Sequence, residues 1–191
     1  VQWTTVPGFE TGDWWVQDGA AAIPVQILAP QSGEQILGLC AAPGDKTMQL
    51  AESGADVTAV DSSEGRMIRV GENLKRTGLS ATTITADAFA FTDGGFDAVL
   101  LDAPCSATGT IRRHPDLPYA KDGSEFGILI HQQARMIDHA LSLLKLGGRL
   151  VFCTCSLLPD EGEVQVEEAL ARHAGLTVDA SAIDRAGIDP E

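Results

Sequence analysis

Apolar residues fall into two rhythms along this chain. Short, nearly continuous apolar runs at Gln35 to Cys40, Val57 to Val60, Thr82 to Thr85, Phe96 to Leu101 and Leu150 to Thr154 predict strands. Between them the spacing turns helical. Met67, Val70 and Leu74 recur at three and four residues, and Gly78 is placed to cap that helix. Ile130, Ala134, Ile137, Leu141 and Leu144 make one face of a longer helix, with Gly147-Gly148 as its stop. A short helix is expected through Met48 and Leu50. Another opens at Pro159, Asp160 and Glu161, where acidic residues suit the positive helix end. Leu176-Thr177-Val178 is the one further stretch that can make a strand.

Strands apolar on both faces and separated by helices predict a parallel sheet covered on each side. Right-handed crossovers make the fold class α/β, doubly wound and mainly parallel. Residues 1–30 hold Trp3, Trp14, Trp15 and one apolar segment, and read as a lead-in packed on a domain spanning 31–180. Residues 181–191 read as an acidic tail. Ligands of such sheets bind beyond the carboxyl ends of the strands, near the switch in strand order. The residues there are Cys40 to Thr47, Asp61, Asp87, Asp102 to Thr110 and Thr154 to Ser156.

Composition narrows the setting. At 191 residues and 44% hydrophobic content, one domain with a sizeable core is the default. There is no apolar run of the roughly eighteen residues a membrane helix needs, nor a basic-then-apolar opening that would read as a signal peptide. Four cysteines are too sparse for a disulfide scaffold, so a reducing cytoplasm is expected. The net charge of −14 opposes nucleic acid, so the chain alone is expected to hold RNA weakly.

The loop C-A-A-P-G-D-K-T, Cys40 to Thr47, lets a ligand approach small residues and a helix start. It lacks the spacing of a phosphate-binding loop, since Asp45 intervenes before Lys46, and it lacks the dinucleotide pattern. Asp61 ends the second strand about twenty residues past that loop, where an acid can hold ribose hydroxyls. Asp87 follows the third strand. Helix capping is the alternative for each. The fourth strand runs into L-D-A-P-C-S-A-T-G-T-I-R-R-H-P-D, bringing Asp102 and Cys105 to the ligand edge beside the Arg112-Arg113 pair, which can grip phosphates. The fifth runs into F-C-T-C-S: Cys153 reads as a core thiol, and Cys155 lies at the strand end. The thiols do not show the paired spacing of a structural zinc site, and no metal is expected.

These motifs, with V-D-S-S, A-D-A, T-C-S-L-L-P-D-E and the lead-in W-V-Q-D-G-A-A-A-I-P, resemble the Sun (Fmu) family of S-adenosylmethionine-dependent RNA cytosine-5 methyltransferases. The likeness spans about residues 12 to 171, and S-A-T-G-T-I-R-R-H-P-D looks most like the bacterial branch acting on small-subunit ribosomal RNA. It implies a Rossmann-like class I methyltransferase fold, here without its last strands, acting on RNA as a monomer. S-adenosyl-L-methionine would lie against Cys40, Ala41, Ala42, Pro43, Gly44, Asp45, Lys46, Asp61, Arg66, Asp87 and Asp102. Cys155 would be the nucleophile, Cys105 the residue releasing product, and Asp102 the acid at cytosine N3. The family usually has glycine where Asp45 stands, so a Cβ there is expected to distort the loop. A cofactor-binding module without catalysis and a metal or redox thiol protein are the competing readings.

Overall fold

The computed structural model describes residues 2–120 and 122–185. Its five strands are β1 (Gln35–Leu39), β2 (Asp56–Asp61), β3 (Thr82–Thr85), β4 (Phe96–Asp102) and β5 (Leu144–Cys153). They form one sheet in the order β3-β2-β1-β4-β5, and every neighbouring pair is parallel. The chain begins at the centre, winds out through β2 and β3, then returns to lay β4 on the other side of β1. The switch in order falls between β1 and β4, so their carboxyl ends diverge there and leave a crevice.

Both faces of the sheet are buried. Ala98 and Leu100 of β4 join Ile36, Val57, Val25 and Leu28 on one side, while Val99 and Leu101 join Leu37, Val60 and Met136 on the other. That alternation is the two-residue period of a strand. The first side carries α1 (Gly19–Leu28), α2 (Asp45–Glu52) and α3 (Glu64–Thr77). The second carries α5 (Phe126–Leu143) and α6 (Glu163–Arg172). A single turn, α4 (Leu117–Ala120), precedes α5, and α7 (Ser181–Arg185) lies near the end of the described chain. Asp18 caps α1 through Ala20 N, and α1 packs against α2, β4 and β5. Ser63 caps α3, and Gly78 (φ +68°) closes it by donating to the Leu74 and Lys75 carbonyls.

Several local expectations are corrected. The long helix ends at Leu143, not at Gly147-Gly148, because Leu144 is already extended and enters β5. The glycines sit inside β5, where the register jumps from Phe96 opposite Leu144 to Ala98 opposite Arg149. They supply a bulge that absorbs extra residues, with Gly147 at φ +79°. The buried face of α5 is Gln133, Met136, Ile137, Ala140 and Leu143; of the predicted stripe only Ile137 is fully buried. A polar residue, Gln133, anchors that face, and apolar spacing alone discounts it. Pro159–Glu161 form a 3₁₀ turn, with α6 starting two residues later. Leu176 to Val178 form no strand. Of the tail expected over 181–191, residues 186–191 lie outside the described residues. Among the described residues no helix is long and apolar enough to cross a membrane.

Candidate active site

A cleft of about 260 Å³ opens at the carboxyl ends of the strands, on the second face of the switch point. Residues following all five strands line it: Cys40 and Ala42 after β1, Asp61 and Ser62 at β2, Asp87 after β3, Asp102 to Cys105 at β4, and Cys155 after β5.

On the β1–β2 side the walls are small residues and main chain. β1 stops at Leu39, and Cys40 takes a left-handed conformation (φ +57°) that turns the loop. Gly44 turns it again at φ +109°, with Val70 so close that a Cβ would meet it at 3.2 Å. Asp45 follows as the first residue of α2, outside the left-handed positions. The structure gives no sign of the expected distortion: the loop's left-handed turns fall on Cys40 and Gly44, and Asp45 is accommodated in the helix. Asp61 is only 2% exposed. Its Oδ1 accepts from Ser63 N and Arg66 Nη2, both at 2.9 Å, and its Oδ2 from Ala42 N at 3.2 Å. Three donors satisfy the buried charge, and Ser63, not Asp61, caps the following helix. Asp87 is exposed and does cap, accepting from Phe89 N at 2.8 Å, while also lining the cleft. Burial raises the Cys40 thiol to about 12, with the Asp61 and Asp102 charges adding to the effect.

The predicted cofactor set divides. Cys40, Ala42, Asp61, Arg66, Asp87 and Asp102 line the cleft; Ala41, Pro43, Gly44, Asp45 and Lys46 do not. Lys46 reaches under the sheet edge to Asp102 Oδ2 at 2.9 Å. Burial pulls its ammonium down, but the Asp102 carboxylate more than compensates and holds it above the ordinary lysine range. Arg112 and Arg113 are exposed and stand outside the cleft; Arg113 lies 3.9 Å from Asp18.

On the β4–β5 side, two thiols meet. Cys105 Sγ and Cys155 Sγ are 3.4 Å apart, although fifty residues separate them in the chain. Neither lies on a strand. β5 ends at Cys153, so Cys155, expected at the strand end, stands two residues beyond it. Cys153 instead abuts Asp102 Oδ1 at 3.7 Å, and its apolar neighbours push its thiol up. The hydrogen bond from Cys105 lowers Cys155 to about 7, against the opposing effects of burial and the Asp102 charge. Cys105 is driven the other way, as the partner that keeps its proton. Of the two sulfurs, Cys155 is thus the more exposed and the one that gives up its proton more readily.

Three residues to which the sequence assigned no site role hold these loops. Glu161 is fully buried and accepts from Ser106 N at 2.9 Å, from the Ser106 hydroxyl, and from Gln133 Nε2 at 3.0 Å. Gln133 Nε2 also donates to Pro104 O at 2.8 Å. Gly109 donates its N–H to Cys155 O at 2.9 Å, and a Cβ on it would sit 2.9 Å from that same oxygen. The acid two residues after a proline, just past T-C-S, was the available signal for Glu161; its helical first-turn reading concealed it.

A family model described as 16S rRNA methyltransferase RsmB/F matches residues 25–189. The chain belongs to this family. Among its relatives, a ribosomal RNA small subunit methyltransferase B from Salmonella arizonae is 47% identical over 173 residues, covering 87% of this chain and 40% of that protein. A protein of the same name from Yersinia pseudotuberculosis is 47% identical over 174 residues, covering 88% and 41%. The chain thus spans about two fifths of the length of the curated relatives it matches. Among solved structures, NSun6 from Pyrococcus horikoshii with SFG superposes with a TM-score of 0.81 at 28% identity, over 88% of this chain and 45% of that one. A methyltransferase homolog protein from the same organism gives 0.73 at 33% identity, over 90% and 55%. The Rossmann-like methyltransferase fold and the family membership agree with the resemblance read from the motifs.

Proposed function

We propose that the chain is the catalytic part of an S-adenosyl-L-methionine-dependent enzyme that methylates carbon 5 of a cytosine in small-subunit ribosomal RNA. The observation that carries this reading is the pair of sulfurs 3.4 Å apart, with Asp102 lining the same cleft.

The residues present suit the cofactor. Asp61 Oδ2 accepts one hydrogen bond and retains acceptor capacity toward the cleft, as a ribose diol requires. Asp87 would take the adenine amino group, and Cys40 and Ala42 leave room for the methionine portion. Asp61, Asp87 and Asp102 surround the cleft with negative charge, which favours a sulfonium cation. When bound, S-adenosyl-L-methionine supplies an electrophilic methyl group.

The protein's part is to make the cytosine nucleophilic. Carbon 5 gains enamine character once a thiolate adds to carbon 6, and Cys155, exposed and ionised near neutrality, is suited to that addition. Asp102, steadied by Lys46, would hold a proton at N3 and offset the charge that the addition develops in the ring. After transfer, the carbon-5 proton and the sulfur leave the ring. Cys105 acts there: its thiol passes its proton to the departing Cys155 sulfur, and the Cys105 thiolate so formed takes the proton from carbon 5, so the ring is released and both thiols end protonated. The base must be unstacked to reach the thiol.

Trapping the adduct tests the proposal. With ribosomal RNA and S-adenosyl-L-methionine, Cys105→Ala is expected to accumulate a denaturation-resistant protein–RNA band, and Cys155→Ala none. No band from Cys105→Ala removes these thiols from the reaction and leaves a cofactor-binding module.

A further inference from the structure

We propose that Glu161 is a positioning residue: a buried carboxylate that sets the Cys105 and Cys155 thiols against each other without touching substrate. The inference rests on the reading of Cys155 as nucleophile.

Glu161 is 0% exposed and does not line the cleft. No lysine or arginine is ion-paired with it among the described residues; its charge is met by hydrogen bonds alone. Burying a lone carboxylate is costly, and an apolar side chain would fill the same space at less expense to stability. What the charge secures is visible in the partners. Cys105 lies between Pro104 and Ser106. Ser106 donates to Glu161 through both its N–H and its hydroxyl, while Pro104 accepts from Gln133, whose amide nitrogen also donates to Glu161. The loop is thereby gripped on each side of the thiol.

Cys155 is treated the same way. Thr154, before it, donates its hydroxyl to the main-chain oxygen of Glu161 at 3.2 Å, and Ser156, after it, meets the Ser106 hydroxyl at 3.1 Å. One residue therefore connects the flanks of both cysteines, drawn from the ends of two different strands. Burial pushes the Glu161 carboxyl up, but the donors from Ser106, Ser156 and Gln133 outweigh it and keep the group ionised. A carboxylate has only acceptors to offer, so it aligns several donors at once, as an amide cannot.

The test reads the thiol directly, with no RNA or cofactor present. Glu161→Gln keeps the shape but turns an NH₂ group toward Ser106 or Gln133, placing donor against donor. The Cys155 peptide is followed by mass spectrometry during iodoacetamide alkylation across a pH series. The groups facing Cys155, which are Cys105, Asp102 and the more distant Lys46, are unchanged in the variant. The expected result is an inflection moved toward the ordinary thiol range and a rate near neutrality about tenfold lower, with circular dichroism like that of the parent. Ser106→Ala, a milder change, is expected to move the profile in the same direction by about threefold. If both folded variants keep the parent profile, or if Glu161→Gln does not fold and Ser106→Ala leaves the profile untouched, the positioning role is overturned. A shifted profile supports it, even if Cys105→Ala yields no RNA band; that outcome removes the methyl-transfer reading alone.

Discussion

The two sides of the cleft are built on opposite plans. On the β1–β2 side the cleft carboxylate, Asp61, belongs to the strand itself and is buttressed by the main-chain N–H groups of Ser63 and of Ala42 in the loop after β1. On the β4–β5 side the reactive groups stand on loops past the strand ends, and side chains from elsewhere, Glu161 and Gln133, hold them. A binding carboxylate needs only a fixed place, which a sheet edge provides. Two thiols in hydrogen-bond contact need a fixed distance between two independent loops, and a strand end cannot impose that.

The largest perturbation should erase the distinction. Leu101→Ala empties a fully buried site in β4, the strand feeding the thiol loop and flanking β1. A loss of about 3 kcal/mol is expected in a denaturant titration, with ligand binding and thiol reactivity falling in one transition; separate transitions would mean that the two sides fold independently. Asp61→Ala should act on one side only. It strands the Ala42 and Ser63 N–H groups and Arg66, costing about 2 kcal/mol. S-adenosylhomocysteine binding, read by calorimetry, should be lost while the Cys155 alkylation profile holds. Movement of that profile would show the sides to be coupled.

How far these plans were legible in the sequence follows from the same contrast. Asp61 and Asp102 were found because an apolar run ending in an acid announces both a strand and its ligand edge. The five strands and their parallel pairing were readable from apolar runs separated by helical spacing, while the order β3-β2-β1-β4-β5 was not. Gly147-Gly148 was misplaced because two glycines stop a helix or bulge a strand with equal ease, and only the β4 register decides between them. Glu161 escaped because a lone acid in a first helical turn has a sufficient local explanation, the helix dipole. Its real partners lie 28 and 55 residues away in the chain. The pairing of Cys105 with Cys155 came from motif likeness, not from periodicity, which is silent about loops.

Two smaller effects complete the comparison. In the parent chain the reactive Cys155 thiolate forms as pH rises through about 7, because Cys105 donates to it. Cys105→Ala removes that donor, so the thiolate should form only at higher pH, and alkylation near neutrality should slow by about tenfold; an unmoved inflection would mean that Cys105 does not donate. Arg149→Ala cuts the paired bonds to Glu34 at 2.8 and 2.9 Å. These join the start of the sheet, far from either wall. A part-exposed ion pair of this kind is worth about 0.5 kcal/mol, visible as a small drop in denaturation midpoint, with both site readouts intact.

Gly109 shows what such construction costs in adaptability. Its bare α-carbon rests against the carbonyl of Cys155, so any larger residue must shove the Cys155 backbone aside. Two positions on, Ile111 is 44% exposed, and a change there meets no such obstacle from the Cys155 carbonyl. A library that diversifies this loop should therefore randomise around Gly109 and never through it, because every substitution there displaces the segment that carries Cys155.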